Sequence, residues 1–84
     1  MAINYSQLRS LTARELISAL ARDGFVLDRQ AGAHQLFYLH PDRRRVTVSF
    51  HRPGETFEMK TLRTMIETQA RWTEEDLKRL KLIG

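Results

Sequence analysis

The chain has 84 residues, room for one domain, and its 42% hydrophobic and 29% charged content reads as globular rather than disordered. It has no cysteine, which excludes a disulfide framework and a thiolate metal site. No apolar run approaches the ~20 residues of a membrane span, and the opening "MAINYSQLRS" lacks the apolar core of a secretory leader, so a cytoplasmic protein without a membrane partner is expected. The formal net charge is +4, with arginine supplying 11 of 14 basic residues. Arginine's planar fork of donors matches phosphate, so this balance suits nucleic acid as well as it suits a merely solubilising surface.

Residues 1–11 read as an N-terminal extension to a core spanning 12–82, the whole forming a single domain. Thr12 and Glu15 form a capping box, with Leu11 and Leu16 positioned as a hydrophobic staple. Leu16, Ile17, Leu20 and Ala21 make one apolar stripe at helical spacing, and Gly24 stands where a left-handed C-cap belongs. Three strand-like runs follow: "FVLDRQ" (25–30), "HQLFYLH" (34–40) and "RVTVSFH" (45–51). A turn at Ala31, Gly32 and Ala33 separates the first two, and "PDRR" (41–44) the last two. A second helix is predicted from Met59 to Gln69, with Met59, Leu62, Met65 and Ile66 on one face. A third begins at Thr73, with Asp76 as reciprocal cap, Trp72 and Leu77 as a staple, and i,i+4 pairs Glu74–Lys78 and Glu75–Arg79. The pattern predicts an α+β domain of order α-β-β-β-α. A three-stranded antiparallel sheet carries helices on one face, and a short C-terminal helix follows.

A hairpin around residues 41–44 sets residues whose numbers sum to 85 opposite one another. It places Phe37 opposite Val48 and Leu39 opposite Val46, with Phe50 on the same apolar face. The other face then carries Tyr38, Leu36 and His34, with His34 opposite His51, so two of the three histidines meet at one end of the sheet.

The run "RQAGAHQLFYLHPDRRRVTVSFH", followed by "TLRTMI" and "WTEEDLKRL", resembles the HicA-type toxins, small RNA-cleaving proteins of type II bacterial toxin–antitoxin pairs. The resemblance covers roughly residues 13 to 82 and is most specific at the glycine–small–histidine step, at the strand ending in "HPD" and at "RRVTV". It implies a fold like the double-stranded RNA-binding domain (dsRBD-like) and endoribonuclease activity on mRNA. It also implies a catalytic role for His34, a second histidine at His51, and a HicB-type antitoxin that covers the active face. DNA would be contacted only indirectly, through that antitoxin. The sequence departs from the family pattern at Ala33, often serine; at Ser49, where a proline is common; at "EMKT", often "KPGT"; and at Arg71, usually glycine.

Metal-independent RNA cleavage needs a base for the 2′-hydroxyl proton and an acid for the leaving oxygen. Histidine, with an ordinary pKa of about 6.5, suits both tasks. His34 is the candidate general base or acid, and His51 is a secondary candidate. The turn at Gly32 leaves the backbone open to a phosphate. Arg29, Arg52, Lys60 and Arg63 are candidates to bind phosphate and offset transition-state charge, Lys60 being near a helix N-terminus. Arg43, Arg44 and Arg45 are either a phosphate patch or a solvated hairpin tip. Tyr38, on the predicted outer face, is a candidate to stack on a base. His40 reads as turn-end structure. Zinc on His34 and His51 would lack further ligands, so no metal or cofactor is expected. Two other functions stay open: a non-catalytic RNA-binding module of dsRBD-like fold, and a protein-interaction domain whose basic face docks an acidic partner.

Overall fold

A computed structural model describes residues 3–84. A 3-10 turn, Tyr5–Leu8, leads into α1 (Ala13–Arg22), then β1 (Val26–Ala31), β2 (Gln35–Leu39) and β3 (Arg45–Ser49). Helix α2 (Met59–Arg63) runs on without a break into a π-helical stretch, Thr64–Gln69, and α3 (Glu74–Arg79) follows. The sheet is antiparallel, in the order β1-β2-β3. The α+β order expected from the pattern is therefore the observed one.

The helix starts form as local chemistry dictates. The Thr12 hydroxyl accepts from the Glu15 N–H, and the Glu15 carboxylate accepts from the Thr12 N–H at 2.9 Å. Thr73 and Asp76 repeat this box at α3. Each such cap is worth about 1 kcal/mol. Gly24 closes α1 with φ of +103°, and Arg71 also takes a left-handed φ of +55°. Arg79 pairs with Asp76 at 3.1 Å and with Asp23 at 2.8 Å rather than with Glu75.

The core draws Leu16, Ala19 and Leu20 from α1, and Tyr38, Val46 and Val48 from the sheet. From the helical segments it adds Leu62, Met65, Ile66, Leu77 and Leu80. Leu8 and Leu11 of the N-terminal extension are buried in the same cluster, so the extension contributes to the core.

The β2–β3 register differs by one residue from the sequence expectation. Leu36 faces Val48, Phe37 faces Thr47 and Tyr38 faces Val46. The loop is three residues, Pro41–Arg43, rather than four. The His40 N–H donates to the Arg44 carbonyl at 2.9 Å, and the Arg43 N–H to the His40 carbonyl at 2.8 Å. Arg43 takes φ of +77°, and the Asp42 carboxylate accepts from the Arg44 N–H at 3.0 Å. This is the three-residue hairpin, a turn followed by a left-handed residue. Shortening the loop by one residue turns β2 over. Tyr38 and Leu36 point to the core, and Phe37 and Leu39 lie on the outer face with Arg45 and Thr47. β1 pairs with β2 through a bulge at Asp28, which restores Arg29 opposite Phe37.

Asp23, just past α1, ties the far end of the sheet to the helices. Its side chain is only 7% exposed. It accepts from Trp72 Nε1 at 2.8 Å and from Arg79 at 2.8 Å, and lies 3.2 Å from Arg44. The Asp23 carbonyl takes His40 Nε2 at 2.8 Å. Burial pushes the Asp23 carboxyl up, but the Trp72 and Arg79 hydrogen bonds and the Arg44 and Arg79 charges together outweigh it and hold the group below the usual carboxylate range.

Candidate active site

His34 ends the three-residue loop that joins β1 to β2, where Gly32 supplies the left-handed φ of +66° that the tight reversal requires. Its backbone is held from the other side: the Phe50 N–H donates to the His34 carbonyl at 3.0 Å, adding one rung to the β2–β3 ladder. His51 is fixed by its own N–H, which donates to the Glu55 carboxylate at 2.8 Å. The loop carrying Glu55 docks on the start of α1. Ala13 N–H donates to the Glu55 carbonyl and Arg14 N–H to the Pro53 carbonyl, so two otherwise unpaired helix-end donors are satisfied there.

Both histidine side chains are exposed. Their ring centroids are 4.5 Å apart with planes inclined at 52°. They meet as the sequence suggested, but by a different route. The true register sets His34 beside Phe50, and the two imidazoles converge diagonally where both strands have ended. An exposed pair of imidazoles held by two anchored backbones can present one proton acceptor and one proton donor to the same bound group. Beside them nothing lies within 4 Å of where a Gly32 side chain would be, so the loop backbone is open to approach. Among the described residues no three His, Asp or Glu side chains are grouped so as to hold a metal ion.

The remaining sequence candidates divide by position. Arg52 is exposed next to His51, and Lys60 is exposed in the first turn of α2. Arg29 places its guanidinium 4.5 Å from the centre of the Phe37 ring on the outer face. Arg63 faces the N-terminal turn, 5.0 Å from the Tyr5 ring and 3.9 Å from Glu67, whose carboxylate also accepts from the Tyr5 hydroxyl.

Two candidates belong to the fold instead. Tyr38 is buried on the core face, 8% exposed, because the shorter loop turned β2 over. Arg44 is enclosed by Asp42 at 2.7 Å, Asp23, the Ala70 carbonyl at 2.7 Å and the Phe25 ring. Arg43 stays exposed at the hairpin tip and Arg45 on the outer face, at the end of β2 away from the histidines, about 17 Å along the strand. His40 is structural, as read from the sequence: it packs edge-on against Phe25 and against the Gly24 turn. Sequence reasoning missed Glu55, whose role depends on the docking of its loop, and Phe37, which the mistaken register had placed in the core.

These features define a class: a small α+β domain with helices packed on one face of an antiparallel three-stranded sheet, and an exposed imidazole pair at one sheet end. Residues 13–72 match the family described as the HicA toxin of bacterial toxin–antitoxin. The chain belongs to this family, as the toxin of a toxin–antitoxin pair, and a partner antitoxin is thereby implied. No curated protein matches it. Among the described residues no helix is long and apolar enough to cross a membrane.

Proposed function

We propose that this toxin is a metal-independent endoribonuclease acting on mRNA, with His34 as the principal acid–base residue. The observation that carries the reading is the imidazole pair, 4.5 Å between ring centres and open to solvent beside the Gly32 turn. One imidazole removes the proton of a ribose 2′-hydroxyl. The 2′-oxygen attacks the adjacent phosphorus, and the 5′-oxygen of the next nucleotide leaves, taking a proton from an imidazolium. The products are a 2′,3′-cyclic phosphate and a 5′-hydroxyl, so no water enters this step.

His51 either performs the complementary transfer or holds the His34 ring. Arg52, beside His51, offsets the charge that builds on the phosphate oxygens. Lys60 and Arg29 bind neighbouring phosphates, with Gly32 offering open backbone to one of them. Arg43 and Arg45 add long-range attraction for the strand, and Arg63 serves mainly the N-terminal contact. The antitoxin, of the HicB type, covers the exposed histidine end, and DNA is reached only through it. The setting for this activity is the cytoplasm.

The test incubates the purified toxin with mixed-sequence single-stranded RNA in excess chelator. Strand scission is expected. RNA that stays intact until a divalent cation is added overturns the metal-independent reading. RNA that stays intact in both conditions but is bound turns the assignment to the non-catalytic RNA-binding module.

A further inference from the structure

We propose that the outer face of the sheet is a stacking platform for the single-stranded RNA that leads into the histidine pair, with Phe37 as its centre. The inference rests on the ribonuclease reading and deepens it, by naming the form of the substrate and the residue that recognises it.

Phe37 sits between Arg29 of β1 and Thr47 of β3, on the face turned away from the helices. Neither Phe37 nor its outer-face neighbour Leu39 packs against the core cluster. The ring is half-buried, and it stands outside the core. The Arg29 guanidinium lies over the ring, 4.5 Å from its centre, an arrangement in which ring and guanidinium both offer flat surfaces. Bases splayed from a single strand stack on both kinds of surface.

Beside the ring lies a shallow depression of about 330 Å³ lined by Asp28, Arg29, Phe37, Tyr38, Leu39 and Arg45. Two arginines against one aspartate leave its rim positive, and among the described residues neither Arg29 nor Arg45 is held in an ion pair. The face is also continuous with the candidate active site. From Phe37 the next outer row is Gln35 opposite Ser49, and the histidines follow at the end, so Phe37 is about 10 Å from His34 along the strand. A positive track with an aromatic step is the pattern by which single strands are bound without strict sequence preference. A duplex keeps its bases stacked on one another and offers no such face to Phe37.

The test uses His34→Ala protein as the parent, so that binding is read without turnover, and measures affinity for a short mixed-sequence single-stranded RNA. Phe37→Leu keeps an apolar side chain and removes the aromatic face. It should weaken binding by roughly 5- to 150-fold. Phe37→Tyr should retain the parent's affinity. Thermal melts of each variant confirm that folded proteins are compared. Parent-like binding by Phe37→Leu, or competition by duplex RNA as effective as by single strands, overturns the platform. If wild-type toxin cleaves RNA and Phe37→Leu binds like the parent, this inference alone falls. If neither wild type nor parent engages RNA, the ribonuclease reading falls with it.

Discussion

Alanine in place of His34 is expected to lower the rate of RNA cleavage by about 10²–10⁴-fold, the usual contribution of a positioned proton-transfer group. RNA affinity should be nearly unchanged. Because the side chain is exposed and only the backbone of residue 34 takes part in the ladder, stability should move by no more than about 0.5 kcal/mol. Single-turnover cleavage, RNA-binding anisotropy and a thermal melt on the same preparation read these three quantities. His51→Ala and His51→Gln then separate the two roles left to the second imidazole. If His51 carries a proton, glutamine is as poor as alanine, since it cannot exchange a proton at neutral pH. If it only holds the His34 ring, glutamine recovers much of the rate by keeping a hydrogen-bonding group. Wild-type rates in His34→Ala would remove that residue from the mechanism.

The largest effect on stability is expected at Asp23. Its carboxylate is the common acceptor for Trp72, Arg79 and Arg44, and the Arg44 side chain is itself only 16% exposed. Asp23→Ala leaves that guanidinium with Asp42 as its one carboxylate partner, beside the Ala70 carbonyl, and the Trp72 N–H without its acceptor. Removing one partner of such an enclosed pair costs about 3–5 kcal/mol. The half-exposed Arg79 adds little because water screens it. Taking the lower end, about 3 kcal/mol, the melting temperature of a domain this size falls by roughly 12–24 °C.

The same group sets an acid limb. The folded-state pKa of Asp23 is depressed, so its contribution is complete above the unfolded value of about 3.9 and is lost as pH falls through the folded value. The stability gap between wild type and Asp23→Asn should therefore be constant near neutral pH and shrink only below about pH 4. The chain's single tryptophan, Trp72, is bonded to this carboxylate and reports the transition by fluorescence. A gap that persists undiminished into strong acid would show that the charge of Asp23 is not its source.

How far the sequence reveals this molecule depends on the range of the interaction concerned. The capping boxes at Thr12–Glu15 and Thr73–Asp76 span three residues and formed as expected, as did the left-handed end of α1 at Gly24. The β2–β3 register was not legible. "LFYL" is apolar at four successive positions, so β2 could bury either face, and the alternation that normally fixes a register is missing. What decides it is the three-residue loop, in which Arg43 takes a positive φ that an arginine does not advertise. The same slip exchanged Tyr38 and Phe37 between core and surface. Arg44 looked like one of three equal tip arginines because its partners, Asp23 and the Ala70 carbonyl, are remote in sequence. The meeting of His34 and His51 survived the error. Both lie beyond the paired strands, where a shift of one residue changes the path of approach but not the end of the sheet on which they sit.

The central claim is that this imidazole pair moves the protons of a 2′-hydroxyl attack, and the chemistry of the cut ends tests it most directly. A defined single-stranded RNA is cleaved in chelator and its termini identified, beside the same RNA carrying a 2′-deoxy sugar at the cut position. The account predicts 2′,3′-cyclic phosphate and 5′-hydroxyl ends, and no cleavage at the deoxy position. Ends bearing a 3′-hydroxyl and a 5′-phosphate, or cutting of the deoxy substrate, would mean that water is the nucleophile and would contradict the assignment of the histidine pair.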